Sequence, residues 1–112
     1  MRVSMSELRH RITILRPVTD TDEEGNILSS PLVEVGKAWA LVLPFAAKIS
    51  DGYAEKVQEV DYRIVIRYRT DVRVTDHIRW GDKTLTPIAP SYPLGGKKRW
   101  LVLECRELVE DG

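Results

Sequence analysis

The stretch that decides the fold is residues 60–69, Val-Asp-Tyr-Arg-Ile-Val-Ile-Arg-Tyr-Arg. Apolar or aromatic side chains stand at every even position, and every odd position except Val65 is charged. An alternation with period two is typical of a β-strand that places one face on a core. A slip of one residue would bury Arg63, Arg67 and Arg69, so the even positions are predicted to face inward.

Two stretches that precede this strand also have strand patterns. Leu8–Ile14 alternates and predicts a first strand that ends near Pro17. From Val33 to Leu43 both faces are apolar, with Trp39 and positions 41 and 43 on one of them. This second strand is therefore predicted to be covered on both sides. Pro44 is predicted to end it, because proline has no amide hydrogen to donate.

Two later stretches complete the strand pattern. Gly81 and Asp82 separate two short alternating runs, which predicts a tight hairpin with Ile78 opposite Leu85. Trp100–Leu108 alternates again and predicts the last strand.

Residues 45–59 have no clear period and predict a mobile loop, or one short helix. The sequence as a whole predicts an all-β, mainly antiparallel fold, a small barrel or sandwich of about six or seven strands with a long loop between its second and third main strands. One domain is expected over residues 1–112, with frayed ends at 1–5 and 109–112. The predicted core consists of Ile12, Ile14, Trp39, Leu41, Tyr62, Ile64, Ile66, Tyr68, Ile78, Leu85, Leu101, Leu103 and Cys105.

Composition excludes several classes of protein. The chain has 112 residues and zero formal net charge, and its 43% hydrophobic and 30% charged residues are typical of a globular domain. A neutral chain has no general attraction for nucleic acid or for an anionic membrane. Cys105 is the single cysteine, which excludes an internal disulfide. No apolar run reaches the roughly 18 residues of a membrane span, and no secretory signal is expected.

An acidic stretch after the first strand imitates the start of a calcium-binding loop. Asp20, Asp22 and Glu24 have the spacing of the first ligands in such a loop. The twelfth position must supply a bidentate carboxylate, and here it is Pro31. The preferred interpretation is an acidic surface loop without a metal.

The histidines and the cysteine do not form a metal or catalytic motif. His10, His77 and Cys105 lie on three separate predicted strands and lack the paired spacing of zinc ligands. Cys105 shares a face with apolar neighbours, so a buried core thiol is expected. We expect no catalytic residue, no metal and no cofactor, and a hydrolase that uses Cys105 as its nucleophile is the weakest alternative.

Charged residues cluster by sign. The basic candidates for a subunit or DNA interface are Arg63, Arg67, Arg69, Arg73 and Arg79. The acidic counter-patch consists of Asp20, Asp22, Glu23 and Glu24. Three interpretations remain open, namely ordinary solvation of an outer strand face, nucleic-acid binding together with an aromatic residue, and head-to-tail self-assembly that closes into a ring.

The order of these features resembles a known family. Leu8–Ile14 opens the chain, Trp39-Ala40 lies in the second strand, and Tyr62–Arg69 follows. Asp76–Gly81 and the closing Leu101–Glu107 come next, at matching spacings. From Leu8 to about Leu108 the chain is similar to the head–tail joining, or head closure, proteins of tailed bacteriophages and prophages.

The resemblance implies a non-enzymatic virion protein that is assembled in the host bacterial cytoplasm. It implies a small β-barrel and a ring, typically of about twelve copies, beneath the portal or its adaptor. Further implied partners are a tail-completion or tail protein and packaged double-stranded DNA that is not read by sequence, with no membrane. In some members a loop obstructs the channel as a stopper. The matching residues are Ala46, Ala47, Lys48, Ile49, Ser50, Asp51, Gly52, Tyr53, Ala54 and Glu55.

One other function stays open beside the head-closure interpretation. A stand-alone nucleic-acid-binding domain of the OB type would also combine a small barrel with basic and aromatic residues. The sequence does not decide whether the arginine face contacts DNA or a neighbouring subunit, nor does it reveal the phage, its host or its tail type. Met5 is an alternative to Met1 as the natural start.

Overall fold

The computed structural model describes residues 3–29, 31–51 and 56–111. Two short 3-10 helices occur there, Met5–Glu7 and Leu94–Gly96, and no helix in these ranges is long and apolar enough to cross a membrane. Within the same ranges the strands are β1 (His10–Pro17), β2 (Asp20–Thr21), β3 (Ile27–Ser29), β4 (Leu32–Asp51), β5 (Lys56–Arg67), β6 (His77–Trp80), β7 (Lys83–Pro87), β8 (Tyr92–Pro93) and β9 (Trp100–Asp111).

The main sheet closes into a barrel. Its strand order is β5-β4-β1-β6-β7-β9, and β9 pairs with β5 to complete the circle. Strand β8 pairs with residues 101–102 of β9, on the edge of β9 that also pairs with β7, and β2 pairs with β3 in a separate two-stranded hairpin. All of these pairings are antiparallel, which confirms the predicted all-β architecture. The pairing of β9 with β5 selects the barrel over the sandwich. Closure leaves few exposed strand edges.

The interior of the barrel is filled by inward residues of β1, β4, β5, β6, β7 and β9. On β5, for example, Ile64 and Ile66 are fully buried, as the alternation predicted. Tyr68 lies just beyond that strand and is partly buried against the same cluster. The buried members of this cluster are Ile12, Ile14, Ala40, Val42, Tyr62, Ile64, Ile66, Ile78, Leu85, Leu101, Leu103 and Cys105.

A second, smaller cluster covers the outside of β5 and β9. Val65 and Val102 are fully buried there although they point away from the barrel interior. Leu8 from the N-terminal segment and Trp100 complete the cluster, and Leu41 packs against it. Val65, the one uncharged residue at the odd positions of 60–69, therefore packs against the N-terminal segment.

Trp39 is not a core residue. It is 54% exposed, although the sequence placed it in the core on the same face as Leu41. Strand β4 turns this face outward, and the N-terminal segment covers Leu41 but not Trp39. The prediction that the second strand is covered on both sides therefore applies only to part of its length.

The predicted hairpin forms with the predicted register. Ile78 of β6 lies opposite Leu85 of β7, and both side chains are buried. Gly81 has a φ of 63°, in the left-handed region that a tight hairpin turn requires and that glycine adopts without strain. Pro87 ends β7 where it pairs with β9.

Pro44 does not end the second strand. The β4–β5 register shifts between Pro44 and Ala46, so that Phe45 is an extra residue without a partner on β5. Such a bulge lets a strand continue past a proline that cannot donate a hydrogen bond. Strand β4 then continues to Asp51, where the sequence predicted a loop or a short helix over 45–59.

The described parts of the chain ends are built into the fold, and the fraying predicted for them stays a prediction. Strand β9 continues to Asp111, whose backbone lies opposite Lys56 of β5. At the other end, Val3 packs against the second cluster and Met5 begins a 3-10 helix. The remaining predicted frayed positions, 1, 2 and 112, lie outside the described residues.

Candidate functional site

Three strands continue beyond the barrel as an extension that we call the arm. It consists of residues 46–51 of β4, 56–61 of β5 and 106–111 of β9. The middle strand, β5, is paired on both sides along the whole arm, from Asp61 to Lys56. Six residues of strand correspond to about 20 Å, so the arm is long relative to a small barrel.

Side-chain contacts hold the base of the arm. Arg106 of β9 donates from Nε and Nη2 to the Asp61 carboxylate, at 2.8 and 3.2 Å. The Tyr62 hydroxyl donates to Glu107 at 3.0 Å, and Lys83 of β7 lies 3.3 Å from the same carboxylate. These contacts join β5, β7 and β9 where the arm leaves the barrel.

The predicted stopper residues divide between the arm and its tip. Ala46 to Asp51 lie on β4 and pair with residues 56–61 of β5. The remaining four, Gly52 to Glu55, lie outside the described residues. Most of the segment that the sequence could not assign therefore forms paired strands, residues 46–51 on β4 and 56–59 on β5. The mobility predicted for 45–59 stays a prediction.

Arg63 is already engaged by its own subunit. It lies opposite Glu104 of β9, with Nη2 3.6 Å from the carboxylate, and its guanidinium stands 4.8 Å from the centre of the Phe45 ring. Glu104 also accepts a hydrogen bond from the Tyr92 hydroxyl at 3.1 Å. The Nε of Arg63 is buried without a hydrogen-bond partner among the described residues.

The other four candidate arginines do not form one patch with Arg63. Arg69 donates from Nη2 to Asp71 at 2.6 Å. Arg67 is exposed at the end of β5, Arg73 is exposed in the loop that follows, and Arg79 points outward from β6. Since β6 and β5 are separated by β4 and β1 in the sheet, the predicted basic face is divided between different sides of the barrel.

A groove lies where β5 diverges from β4. Its volume is about 610 Å³. Four cations line it, together with Tyr68 and the exposed Trp39, whose ring centre lies 5.1 Å from the Arg11 guanidinium. The lining residues of this basic groove are Met5, Leu8, Arg11, Lys37, Ala38, Trp39, Arg67, Tyr68 and Arg69.

The acidic residues form a structured turn rather than a loose loop. Both carboxylate oxygens of Asp22 accept hydrogen bonds, Oδ1 from the amides of Glu24 and Asn26 at 2.9 and 2.8 Å and Oδ2 from the Asn26 side chain at 3.1 Å. The hydrogen bonds from Asn26 are the main reason that the pKa of Asp22 lies below its usual value. Glu23 and Glu24 are exposed beside it.

A buried ion pair fixes the loop between β5 and β6. The Asp76 side chain is fully buried and accepts hydrogen bonds from Arg16 Nε at 2.8 Å and Nη2 at 2.9 Å. The same Nη2 donates to the Asp71 carbonyl at 2.7 Å, and the Arg73 amide donates to Asp76 at 2.8 Å. Burial alone raises the pKa of Asp76, but these hydrogen bonds outweigh burial and lower it.

The histidines and the cysteine remain apart. His10 is exposed with its ring against Trp80, His77 Nδ1 lies 3.1 Å from the Thr75 carbonyl, and Cys105 is buried in the barrel. Burial raises the pKa of the Cys105 thiol to about 12, with a smaller contribution from Glu104. A thiol with that pKa carries almost no thiolate at neutral pH, which argues against a nucleophile. Over the described ranges no three His, Cys, Asp or Glu side chains are grouped to hold a metal.

Sequence reasoning missed the basic groove and the buried ion pair. A signal for the groove was present, because Lys37 shares its strand face with Trp39 and a lysine seldom faces a core. Arg16 and Asp76 are 60 positions apart, and nothing in the local pattern pairs them. Both features arise only when segments that are distant in the sequence come together in the sheet.

The fold gives the structural class of the protein, and the comparison with known families gives its family. The fold is a small closed antiparallel β-barrel with one ion pair, Arg16–Asp76, whose carboxylate is fully buried. A family model described as phage head completion protein matches residues 3–108, and the chain therefore belongs to the phage head completion protein family. This membership confirms the resemblance inferred from the sequence and indicates a structural role in the phage head. Comparison with curated proteins gave no match.

Solved structures share the fold. A chain of the virion of a native gene transfer agent particle is 19% identical, covers 90% of this chain and 94% of its own length, and has a TM-score of 0.76. The solution structure of SF1141 from Shigella flexneri 2a is 26% identical, with 94% and 96% coverage and a TM-score of 0.70. The xkdH protein of the Bacillus subtilis phage-like element PBSX is 16% identical, with 87% and 92% coverage and a TM-score of 0.53.

Proposed function

We propose that the chain is a non-enzymatic subunit of a head-closure ring, which joins the portal or its adaptor to the tail and retains packaged DNA. About twelve copies surround the DNA channel, and a tail or tail-completion protein docks on the other side. The completed ring resides in the virion, and its subunits are made in the cytoplasm of the host. The single observation that carries this proposal is the match to the phage head completion family over residues 3–108.

The arm is the part of the subunit that we assign to DNA retention. Its paired strands continue about 20 Å beyond the barrel, as far as Asp51 and Lys56, so a ring of barrels could bring several arms to one axis. The contact of Arg106 with Asp61 anchors the base of the arm in the barrel wall. A tip on an anchored arm can obstruct a channel without a catalytic step.

Shortening the arm tests this assignment. Residues 48–59 are replaced by Asn-Gly, which joins Ala47 to Val60, two residues that already lie opposite each other. The variant is supplied in trans to the phage or prophage that encodes the chain after its own copy is deleted. We expect particles that assemble with tails but lose their DNA, measured as the ratio of packaged genome to capsid protein.

A second variant separates the effect of the arm's length from the effect of a side chain on it. Replacing Tyr53 by Ser keeps the length of the arm and should keep the DNA, because a steric obstruction depends on reach. If the shortened arm retains DNA as well as the unaltered chain does, the arm is not the stopper. If particles without any copy of the chain retain DNA and infect normally, the head-closure proposal itself fails.

A stand-alone nucleic-acid-binding domain remains the second candidate, because the basic groove combines Arg11, Lys37 and Arg67 with the exposed Trp39. This function requires that the isolated chain binds DNA with an affinity that falls steeply with salt, since neutralised phosphates release counterions. Fluorescence anisotropy with labelled duplex and single-stranded DNA at several salt concentrations measures this. Head closure does not require the isolated subunit to bind DNA.

A further inference from the structure

We propose that the basic groove is the docking site for the acidic β2–β3 hairpin of a second copy of this chain. The inference rests on the proposed ring, because it names the contact that joins one subunit to the next. It commits to one occupant, the turn that contains Asp22, Glu23 and Glu24. Four properties of the molecule support it.

The charges of the two surfaces are complementary. Arg11, Lys37 and Arg67 line the groove and form no ion pair with any side chain that the structure describes. Among the described residues that line the groove there is no carboxylate. Glu23 and Glu24 are exposed at the tip of the hairpin. Opposite charges at a subunit contact select the partner and its orientation.

The groove also offers contacts that are not ionic. From Leu32 to Trp39, strand β4 pairs with β1 on one side and has no strand partner on the other among the described residues. Beside this open edge stands the exposed ring of Trp39. An open strand edge and an exposed tryptophan are features that binding surfaces use, because both gain from being covered.

The hairpin cannot reach the groove of its own subunit. It continues the β1–β4 ladder past Pro17, and the Val18 amide donates to the Pro31 carbonyl at 2.9 Å. Trp39 lies seven residues along β4 from Leu32, a distance of about 23 Å of strand, in the opposite direction. A contact between the two surfaces is therefore intermolecular and heterologous, and repetition of a heterologous contact can close a ring.

The hairpin tip is preorganised for such a contact. The three hydrogen bonds to Asp22 hold the backbone from Asp22 to Asn26 in one turn. The side chains of Glu23 and Glu24 are not used in this turn, so they remain available to a neighbour. A turn that is already ordered loses less conformational entropy on binding than a loose loop does.

The test uses two variants that each keep one half of the contact. The hairpin variant, Glu23→Lys/Glu24→Lys, keeps the groove, and the groove variant, Lys37→Glu/Arg67→Glu, keeps the hairpin. Neither variant can bind another copy of itself through this contact. In a mixture the groove of the hairpin variant can bind the hairpin of the groove variant, and the pair cannot extend into a ring. The hairpin variant is labelled with nitrogen-15 and titrated with the unlabelled groove variant at low salt, while NMR follows the indole N–H of Trp39.

We expect the Trp39 signal to shift and to saturate at one groove variant per labelled chain. The indole of Trp100, which is 6% exposed and outside the groove, should not move. Raising the salt from about 0.05 to about 0.5 M should weaken the binding at least about tenfold, because exposed charges are screened. Titration with unlabelled hairpin variant is the matched control and should leave Trp39 unshifted.

A further control matches the change in charge. A labelled chain with Lys97→Glu/Lys98→Glu in addition to the hairpin substitutions should bind as well as the hairpin variant, since both lysines lie outside the groove. The inference is overturned if Trp39 does not shift up to about 1 mM partner. It is also overturned if the control without an acidic hairpin shifts Trp39 equally, or if only added duplex DNA does so.

This outcome is independent of the DNA-retention experiment. If Trp39 does not respond but particles without the chain lose their DNA, the docking inference fails and the head-closure proposal stands. If Trp39 responds but particles without the chain keep their DNA, the chain self-associates as inferred and the head-closure proposal fails.

Discussion

The barrel and the arm are built from the same strands but differ in what holds them. In the barrel, β4, β5 and β9 bury residues such as Val42, Ile64 and Leu103 against the other strands. In the arm the same three strands pair with one another as the end of a three-stranded sheet, and only at its base does Arg106 also pair with Thr86 of β7 among the described residues. Strands that pair with few neighbours open at lower free energy than a core that many strands share. The comparison predicts a stable barrel and an arm that can change without unfolding it.

The largest effect is expected from the buried ion pair of the barrel. Arg16→Ala leaves the buried Asp76 carboxylate without its main partner, which should lower the free energy of unfolding by about 3–5 kcal/mol. Arg69→Ala removes the more exposed pair with Asp71 and should cost less than about 1 kcal/mol. Urea denaturation of both variants measures the difference. Equal losses of unfolding free energy in the two variants would show that the buried Asp76 pair stabilises the fold no more than the exposed Asp71 pair does.

A slightly smaller effect is expected from the barrel core, and almost none from the arm. Ile64→Ala creates a cavity at a fully buried position and should lower the free energy of unfolding by about 2–5 kcal/mol. Replacing residues 48–59 by Asn-Gly should change it by less than about 1 kcal/mol, since the barrel core is untouched. The same urea titration measures both variants. Loss of cooperative unfolding in the shortened chain would mean that the arm belongs to the barrel's folding unit.

Acid should weaken the barrel through Asp76. The pKa of this carboxyl is lower in the folded chain than in the unfolded one, so the folded state binds fewer protons. Its contribution is therefore present above the unfolded pKa of about 3.9 and is lost as the pH falls through the folded value. Thermal unfolding between about pH 6 and pH 3 should show a steeper loss for the natural chain than for Asp76→Asn. Parallel curves would exclude Asp76 as a source of the acid sensitivity.

The smallest signal is the reactivity of the barrel's thiol. Cys105 is 2% exposed and burial raises its pKa to about 12, so alkylation requires opening of the barrel. Mass spectrometry should show almost no labelling of the native chain near pH 8, and the shortened-arm variant should be protected to the same degree. Faster labelling of that variant would show that the arm helps to close the barrel.

The sequence predicted the barrel better than the arm, for physical reasons. Inward residues of the barrel alternate because each strand has one wet face and one dry face, so Ile64 and the pairing of Ile78 with Leu85 were predictable. Residues 45–59 lack that alternation, and a bulge at Phe45 carries the strand past Pro44. A bulge depends on the partner strand and leaves no periodic signal of its own.

The surface was harder to predict than the core. The arginines of the 60–69 strand appeared as one face, but Arg63 pairs with Glu104 and Arg69 with Asp71 inside the same subunit. The basic groove instead joins Arg67 to Arg11, from a strand that the sheet order does not place next to β5. Neighbours of this kind depend on the order of the strands in the sheet and on the divergence of β4 from β5.

Packaged DNA in particles that carry the shortened arm tests the central claim most directly. The account predicts that the chain with residues 48–59 replaced by Asn-Gly folds, enters particles and fails to hold the genome, while the chain with Tyr53→Ser holds it. The quantity to measure is the genome content per capsid after the packaging reaction has ended. Particles with the shortened arm that keep a full genome would contradict the assignment of the arm to DNA retention.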